Sequence, residues 1–161
     1  MTRHNAFQKL LPLVAGLVAA AVLSFGVAPA FAQGNVQAVA MYRLYNPYTG
    51  EHLYTSSASE LSSLDRAGWR YEGIGWYAPL ESSAPVYRLY NSYTGDHHYT
   101  TSRDEYNSLV SLGWSGEGVG FYSDSSQTTM VYRLFNPYVT VATHHYTTAQ
   151  SEYDYLGSIG W

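Results

Sequence analysis

Three copies of one segment occupy residues 41–161 of this chain. The copies begin with MYRLYN at residue 41, VYRLYN at residue 86 and VYRLFN at residue 131, so the pattern recurs every 45 residues. A period of this size marks a supersecondary unit that cannot bury its apolar face alone and therefore packs against its copies. The sequence predicts one domain of three repeats, 41–85, 86–130 and 131–161. This pattern favours a symmetric binding scaffold over a single asymmetric active site.

The N-terminal residues have the features of an export signal. A basic start precedes an uncharged apolar run over residues 10–27, and Ala-Phe-Ala at residues 30–32 has the small-x-small spacing of a cleavage site. An uncleaved membrane anchor is the alternative, because about 18 apolar residues can just span a bilayer. We expect a signal peptide over 1–32, a linker over 33–40 and a protein that is secreted or held at the cell surface.

Composition narrows the classes of partner. The chain has no cysteine, so an exported form must be stabilised by packing without disulfides. After residue 32 it has no lysine, and twelve acidic residues exceed the arginines. This charge disfavours nucleic acid and anionic lipid, so we predict neither a nucleic-acid partner nor membrane binding after signal cleavage. The 17 tyrosines and 4 tryptophans suit either a core or stacking platforms at a half-wet surface.

Each repeat has the same predicted order of elements. A strand leads through a hairpin loop, NPYTG in repeat one, into a second strand. A serine followed three residues later by glutamate then predicts a helix start. Helices are expected over 58–67, 103–112 and 150–159, with a weaker start in repeat three, where Ala149 takes the cap position. The predicted fold is mainly β with one short helix per repeat, closed in a β-trefoil-like or small propeller-like form.

A glycine and a tryptophan follow each predicted helix. The glycines suit a left-handed helix end. The tryptophans are expected to pack the helix on the sheet and to be mostly buried; they are Trp69, Trp114 and Trp161. A closing strand, EGIGWY in repeat one and EGVGFY in repeat two, completes the unit, and its alternating glycines predict a bulge or a close backbone approach.

Repeat three departs from this pattern in two places. Its hairpin loop has two extra residues over 139–143 and lacks the turn glycine, and the closing-strand motif is missing. We therefore expect Trp161 to be the least buried of the three tryptophans. Truncation of a longer parent is one explanation. The unpaired strand edge also makes self-association an alternative role.

The ordered motif Y-R-L-Y-N, H-x-Y-T-[TS], G-W and E-G-x-G-aromatic-Y resembles a repeat family of exported bacterial and fungal proteins whose function is not established. The resemblance covers residues 41–161. Members of that family often carry three copies and are often attached to glycoside hydrolases, lysozymes or amidases. The resemblance implies an accessory, ligand-binding or cell-surface module. It supplies neither a ligand nor catalytic residues.

Five histidines at the second strands are the candidates for catalysis or metal binding: His52, His97, His98, His144 and His145. An imidazole beside Glu51 or Asp96 could act as a general base, and zinc would need three or four convergent ligands. The alternative is that each histidine bonds to a carboxylate such as Glu72 or Glu117 and fixes its strand. We expect this structural role, and we assign no catalytic residue, no metal and no cofactor.

One arginine recurs in the first strand of every repeat, as Arg43, Arg88 and Arg133. An inward-facing arginine needs a carboxylate partner, and we expect Glu72 and Glu117 to supply it. Repeat three has no equivalent glutamate, so Arg133 must reach another repeat to be paired.

The leading functional hypothesis is a non-catalytic module that binds glycan or cell wall. Its site is predicted at the hairpin loops and adjoining strands, formed by Tyr48, Tyr93, Tyr138, His52, His97 and His144. Aromatic rings stack on sugar rings, and repeated shallow sites gain avidity. A small secreted hydrolase acting on cell wall or polysaccharide is the alternative from a different class, although no G-x-S-x-G motif occurs.

Overall fold

The computed structural model describes residues 37–126 and 128–161. The predicted signal peptide and residues 33–36 lie outside the described part of the chain. The remainder of the predicted linker is not a linker, because Ala38 to Ala40 already belong to the first strand and pair with Tyr77 to Pro79. Across the described residues, no helix is both long enough and apolar enough to cross a membrane.

Every repeat contributes a β-hairpin and one short helix. The strands are β1 Ala38–Tyr45, β2 His52–Thr55, β3 Arg70–Pro79, β4 Pro85–Asn91, β5 Asp96–Thr100, β6 Ser115–Tyr122, β7 Tyr132–Phe135 and β8 His144–Thr147. The helices are α1 Ala58–Arg66, α2 Arg103–Ser111 and α3 Gln150–Ser158. The prediction of mainly β-structure with one short helix per repeat is confirmed.

Each repeat forms its own small antiparallel sheet. The strand order is β2-β1-β3 in repeat one and β5-β4-β6 in repeat two, whereas β7 pairs with β8 alone among the described residues. The closing strands β3 and β6 shift register twice along their partners, as their alternating glycines predict. Within the described parts of the chain the three sheets remain separate and form no closed barrel.

Local capping explains where the helices begin. A serine hydroxyl accepts a hydrogen bond from the backbone N–H three residues later, at 3.2 Å for Ser57 and 3.1 Å for Ser102. Ala149 takes the same position in repeat three and has no side-chain capping bond. Loss of such a cap costs about 1 kcal/mol. The third helix therefore depends more on its packing than the other two helices do.

The hairpin loop of repeat three accommodates its insertion with backbone strain. The loops of repeats one and two use turn glycines with positive φ, 84° at Gly50 and 69° at Gly95. In repeat three the buried Ala142 takes φ 55°. A residue with a Cβ in this conformation costs about 1 kcal/mol, so this hairpin is less favourable than its two counterparts.

Three tyrosines, one from the second strand of each repeat, meet at the centre of the domain. Tyr54, Tyr99 and Tyr146 are 1%, 3% and 5% exposed. Their rings meet edge to face, with centroid separations of 6.0 Å (54–99), 5.2 Å (99–146) and 5.8 Å (54–146). This geometry is favourable for aromatic pairs, and it relates the three repeats through one shared contact, which we call the tyrosine triad.

The hydroxyl groups of the tyrosine triad close a ring of hydrogen bonds. The Tyr99 hydroxyl donates to the Tyr54 carbonyl at 2.8 Å and accepts from the Tyr54 N–H at 3.0 Å. Tyr146 does the same with the Tyr99 backbone, and Tyr54 with the Tyr146 backbone. Because β2, β5 and β8 are edge strands, these hydroxyls satisfy buried backbone groups that no neighbouring strand pairs.

The tryptophans expected to be buried are only partly so. Trp69, Trp114 and Trp161 share the same intermediate range of exposure, and the greater exposure expected for Trp161 stays a prediction. The helices before them contain no buried residue, which places helix and tryptophan at the periphery of the domain. Besides the tyrosine triad, the core aromatic residues come from the closing strands: Trp76 and Phe121 are 8% and 9% exposed, with ring centroids 5.6 Å apart.

Candidate functional site

The recurring arginine links two repeats. Arg88 Nη1 lies 2.9 Å from Glu60 Oε2, on the helix of the preceding repeat, and Arg88 Nε lies 2.6 Å from Glu117 Oε2, on its own closing strand. A second bond from Nη2 to Glu60 Oε1, at 3.0 Å, makes the first contact bidentate. Bidentate pairing fixes orientation as well as distance, so Arg88 holds repeats one and two in register.

The same contact recurs in cyclic order around the domain. Arg43 Nε lies 3.0 Å from Glu72, and its Nη1 lies 3.2 Å from Glu152 in repeat three. Arg133 reaches Glu105 in repeat two at 3.3 Å. Each arginine therefore pairs with the helix glutamate of the preceding repeat, and repeat one pairs with repeat three.

In repeats two and three, one histidine also contacts a carboxylate of the preceding repeat. Repeat one has no such contact within the described residues. His97 Nδ1 lies 2.5 Å from Glu51 Oε1, and His144 Nδ1 lies 3.0 Å from Asp96 Oδ2, in both cases across a repeat boundary. The corresponding position before His144 is Thr143, so His52 instead contacts Glu72 of its own repeat at 3.3 Å. Glu51 and Asp96 were considered as orienting groups for the histidine that follows each of them. They instead contact the histidine of the next repeat.

The other two histidines lie deeper. His98 and His145 are 4% and 3% exposed, and each ring lies edge-on to the tryptophan after its own helix, Trp114 or Trp161. Burial lowers the pKa of His98 to about 4, and the neighbouring His144 acts in the same direction. Burial also lowers the pKa of His145. Both imidazoles are therefore neutral at pH 7.

Two of the carboxylates that contact histidines, Glu72 and Glu152, are held in their ionised form. The hydrogen bond with His145 lowers the pKa of Glu152 to about 2, and the charge of Arg43 helps to overcome the opposing effect of burial. The hydrogen bond with His52 likewise lowers the pKa of Glu72. A general acid or base works best with a pKa near the operating pH, so these groups suit structural pairing better than proton transfer. Residues 37–126 and 128–161 contain no group of three metal-ligating side chains placed to share an ion.

Replacing Arg88 by Met is expected to lower the unfolding free energy by about 2 kcal/mol. The change leaves the carboxylates of Glu60 and Glu117 facing each other without a cation, and their partial exposure keeps the cost below that of a fully buried pair. Urea denaturation measures the change. Arg66→Met is the matched control, because within the described part of the chain the Arg66 side chain hydrogen-bonds only to an exposed Ser63 hydroxyl. Equal effects of the two substitutions would contradict the inter-repeat role of Arg88.

The hairpin loops carry the most exposed aromatic side chains. Tyr48, Tyr93 and Tyr138 are 85%, 90% and 79% exposed. In each loop the backbone N–H of the tyrosine donates to an asparagine side chain two residues earlier, at 3.0, 2.9 and 3.0 Å. Such turns fix the local backbone, so three exposed rings stand on loops with the same hydrogen bond. We call these three residues the tip tyrosines.

The histidines predicted beside the tip tyrosines have a different environment. The side chains of His52, His97 and His144 are 18%, 12% and 17% exposed, and each contacts a carboxylate. The predicted binding residues thus divide into an exposed set, the tip tyrosines, and a half-buried set that connects strands and repeats.

A model of the family described as a domain of unknown function, DUF5648, matches residues 40–161. The chain belongs to this family. No curated protein matches the chain, and no solved structure does so. The DUF5648 match spans all three repeats, the tyrosine triad, the ion-pair clusters and the tip tyrosines.

Sequence reasoning missed two sets of residues in the DUF5648 domain. Glu60 and Glu105 were interpreted only as parts of capping boxes, and Glu152 was assigned no role of its own. All three pair with arginines of the next repeat. No central role was predicted for the tyrosines of the triad. Their recurrence at one strand position in every repeat was the available signal, because equivalent residues near a symmetry axis meet one another.

Proposed function

We propose that this protein is a secreted, non-catalytic module that binds glycan or cell wall through its tip tyrosines. The observation that carries the proposal is the exposure of Tyr48, Tyr93 and Tyr138 on three equivalent loops. A tyrosine ring offers an apolar face to a sugar ring and a hydroxyl to its polar groups. Fixed loops reduce the entropy lost on binding, and three weak sites on one domain increase the overall affinity.

Two of the tip tyrosines lie beside the end of a helix, which supports an extended aromatic surface. A Cβ added to Gly68 would lie 3.5 Å from the Tyr48 ring, and one added to Gly160 would lie 2.9 Å from the Tyr138 ring. The next residues are the half-exposed Trp69 and Trp161. Repeats one and three therefore offer a tyrosine and a tryptophan on neighbouring segments, a combination suited to a shallow sugar site.

The charged side chains support a binding role over the hydrolase alternative. All five described histidines contact a carboxylate, and most of these contacts connect one repeat with the next or one strand with the next. A catalytic histidine changes its protonation state during the reaction. At these positions such a change would weaken the contacts between repeats and strands, so the histidines suit a structural role better than a catalytic one.

We propose that the repeats close in a propeller-like rather than a trefoil-like form. Three separate sheets surround the tyrosine triad, and both the arginine contacts and the triad hydrogen bonds run in cyclic order. A trefoil would join strands of different repeats in one barrel, whereas propeller blades remain separate sheets. Repeat three forms a two-stranded blade in the described residues.

A retention assay tests the proposed function. The exported protein should be retained on insoluble peptidoglycan or on a polysaccharide resin, and the double variant Tyr48→Ala/Tyr93→Ala should bind about 10-fold more weakly, from about 0.7 kcal/mol for each lost stacking contact. Both rings are exposed, so we expect the melting temperature to remain unchanged.

Tyr155→Ala is the matched control for this assay, because Tyr155 is also exposed but lies on α3 rather than on a hairpin loop. Its retention should equal that of the unmodified protein. Undiminished retention of the double variant would remove the tip tyrosines as the site. Release of soluble sugar or peptide during incubation, lost on substitution of a histidine, would favour the hydrolase alternative.

A further inference from the structure

Histidine rings from different repeats meet in pairs at both boundaries of repeat three. His98 of repeat two and His144 of repeat three have ring centroids 4.6 Å apart, at an interplanar angle of 70°. His145 of repeat three and His52 of repeat one have the same separation of 4.6 Å, at 83°. Each pair joins the second histidine position of one repeat to the first histidine of the next repeat in cyclic order. We call these two contacts the boundary histidine pairs.

The boundary between repeats one and two has a different composition. Leu53, which is 2% exposed, takes the second histidine position in repeat one. His97 lies near two carboxylates, with Nδ1 2.5 Å from Glu51 and Nε2 3.7 Å from Glu117. Its ring contact within the described residues is with Tyr90. A proton on His97 therefore meets negative groups and, in the described part of the chain, no second imidazole.

The outer ring of each boundary histidine pair faces a carboxylate. His144 Nδ1 lies 3.0 Å from Asp96 Oδ2, and His52 Nε2 lies 3.3 Å from Glu72 Oε2. An adjacent carboxylate stabilises an imidazolium ion. One proton per pair is therefore compatible with a closed boundary, and the second proton decides whether the boundary holds.

The inner ring between repeats two and three is unfavourably placed for that second proton. His98 Nε2 lies 3.3 Å from Glu105 and 3.3 Å from Arg133 Nη1, and its Nδ1 faces the Tyr146 hydroxyl at 3.4 Å. Burial lowers the pKa of His98, and the neighbouring His144 acts in the same direction. Both positive neighbours belong to repeat three, whereas Glu105 belongs to repeat two. Separation of these repeats would remove the positive neighbours and leave the carboxylate in place.

The inner ring between repeats three and one has the same arrangement. His145 Nε2 lies 3.3 Å from Glu152 Oε1, and its Nδ1 faces the Tyr54 hydroxyl at 3.4 Å. Burial lowers the pKa of His145, and the charges of His52 and Arg43 add to this effect against the hydrogen bond with Glu152. The positive neighbours again belong to the other repeat, and the carboxylate belongs to repeat three itself. Both inner rings would therefore bind protons more readily after separation.

We propose that mildly acidic solution separates repeat three from repeats one and two, which remain joined to each other. The separated state binds more protons at the inner histidines than the closed state does, so a fall in pH shifts the equilibrium toward separation. Although burial opposes it, the hydrogen bond from Arg88 lowers the pKa of Glu60, so this contact between repeats one and two stays charged. The response does not depend on what the tip tyrosines bind.

The backbone N–H groups of the tyrosine triad report on the three boundaries separately. The Tyr99 N–H bonds to the Tyr146 hydroxyl across the boundary between repeats two and three. The Tyr146 N–H bonds to the Tyr54 hydroxyl across the boundary between repeats three and one. The Tyr54 N–H bonds to the Tyr99 hydroxyl between repeats one and two. Each N–H exchanges its hydrogen with solvent when its own boundary opens, so amide exchange followed by NMR tests the proposal.

We expect the Tyr99 and Tyr146 N–H groups to lose about 10-fold more protection than the Tyr54 N–H between pH 7 and pH 5, after correction for the intrinsic pH dependence of exchange. A pKa of about 4 for the buried His98, against the ordinary value of 6.5, gives a shift of about 20-fold toward separation by itself. This comparison uses the unmodified protein, so it stands even if a variant fails to fold.

Two variants test the assignment to the boundary histidine pairs. His98→Leu/His145→Leu gives repeats two and three the residue that repeat one has at this position, and it should remove the difference among the three N–H groups. Leu53→His completes a histidine pair with His97 at the remaining boundary. In this variant the Tyr54 N–H should also lose protection at pH 5.

Four outcomes would overturn the proposal. Equal loss of protection at all three N–H groups would indicate global unfolding, and loss at Tyr99 without loss at Tyr146 would mean that repeat three does not leave as a unit. Unchanged protection of all three groups at pH 5 would show that the boundaries resist acid. A difference that persists in His98→Leu/His145→Leu would assign the response to groups other than the inner histidines.

Discussion

Tyr99→Phe is expected to lower the unfolding free energy by about 3 kcal/mol. The change removes one oxygen atom from a fully buried ring, but that oxygen pairs with both the N–H and the carbonyl of Tyr54. Among the described residues no strand lies beside this edge of β2, so both backbone groups would remain buried without partners. Each such group costs about 1–3 kcal/mol, far more than the net value of an ordinary hydrogen bond.

Chemical denaturation with constant m-value measures this effect, and the tip tyrosine Tyr93 supplies the control. Tyr93→Phe makes the same chemical change at a residue that is 90% exposed, so its effect should stay within about 0.5 kcal/mol. Comparable losses for the two variants would show that the triad hydroxyls do not close the strand edges. Tyr54→Phe and Tyr146→Phe should resemble Tyr99→Phe, because their hydroxyls make the same pair of bonds.

Acidification from pH 7 to pH 4 is expected to cost the protein about 3 kcal/mol through His98 alone. Burial holds the pKa of His98 at about 4 in the folded chain, below the ordinary value of 6.5 that applies on unfolding. Between these values the unfolded chain binds more protons than the folded one, so stability falls as pH falls through this window. Well above pH 6.5 the His98 imidazole is neutral in both the folded and the unfolded chain, so His98 no longer makes the stability depend on pH.

His98→Leu isolates this contribution, because repeat one already has Leu53 at the same position. The variant should lose about 3 kcal/mol less than the unmodified protein between pH 7 and pH 4, whatever its stability at pH 7. Thermal or urea unfolding across this range gives the two slopes. His98 faces His144, Glu105 and Arg133, so their charges also shape the profile. Parallel slopes for the two proteins would contradict a buried, neutral His98.

The repeat period and the local signals predicted most of the secondary structure. Helix starts followed from Ser57 and Ser102, whose hydroxyls act within three residues of the chain. Helix ends followed from glycines that tolerate positive φ, such as Gly68 at 94°. Such interactions are local, so a single sequence contains all the information that they need.

Contacts between repeats could not be predicted in the same way. Glu51 precedes His52 in the sequence but contacts His97 of the next repeat. The orientation of the neighbouring sheets brings the His97 side chain to the Glu51 carboxylate. Trp69 satisfied every local criterion for a core residue and is only half-buried, since the centre was already filled by tyrosines. The arrangement of the three sheets around the central axis depends on all three repeats together, so it cannot be predicted from a short segment of sequence.

The cyclic contacts also determine when folding can finish. Tyr54 bonds to Tyr146 across 92 residues, and Arg43 bonds to Glu152 across 109. Contacts of such high sequence separation form slowly, because the chain must lose entropy before they contribute. While the protein is being synthesised, repeats one and two have no repeat three to bind. A nascent chain therefore leaves the inner edge of β5 open until Tyr146 of repeat three arrives, and this edge is the surface that a chaperone would have to cover.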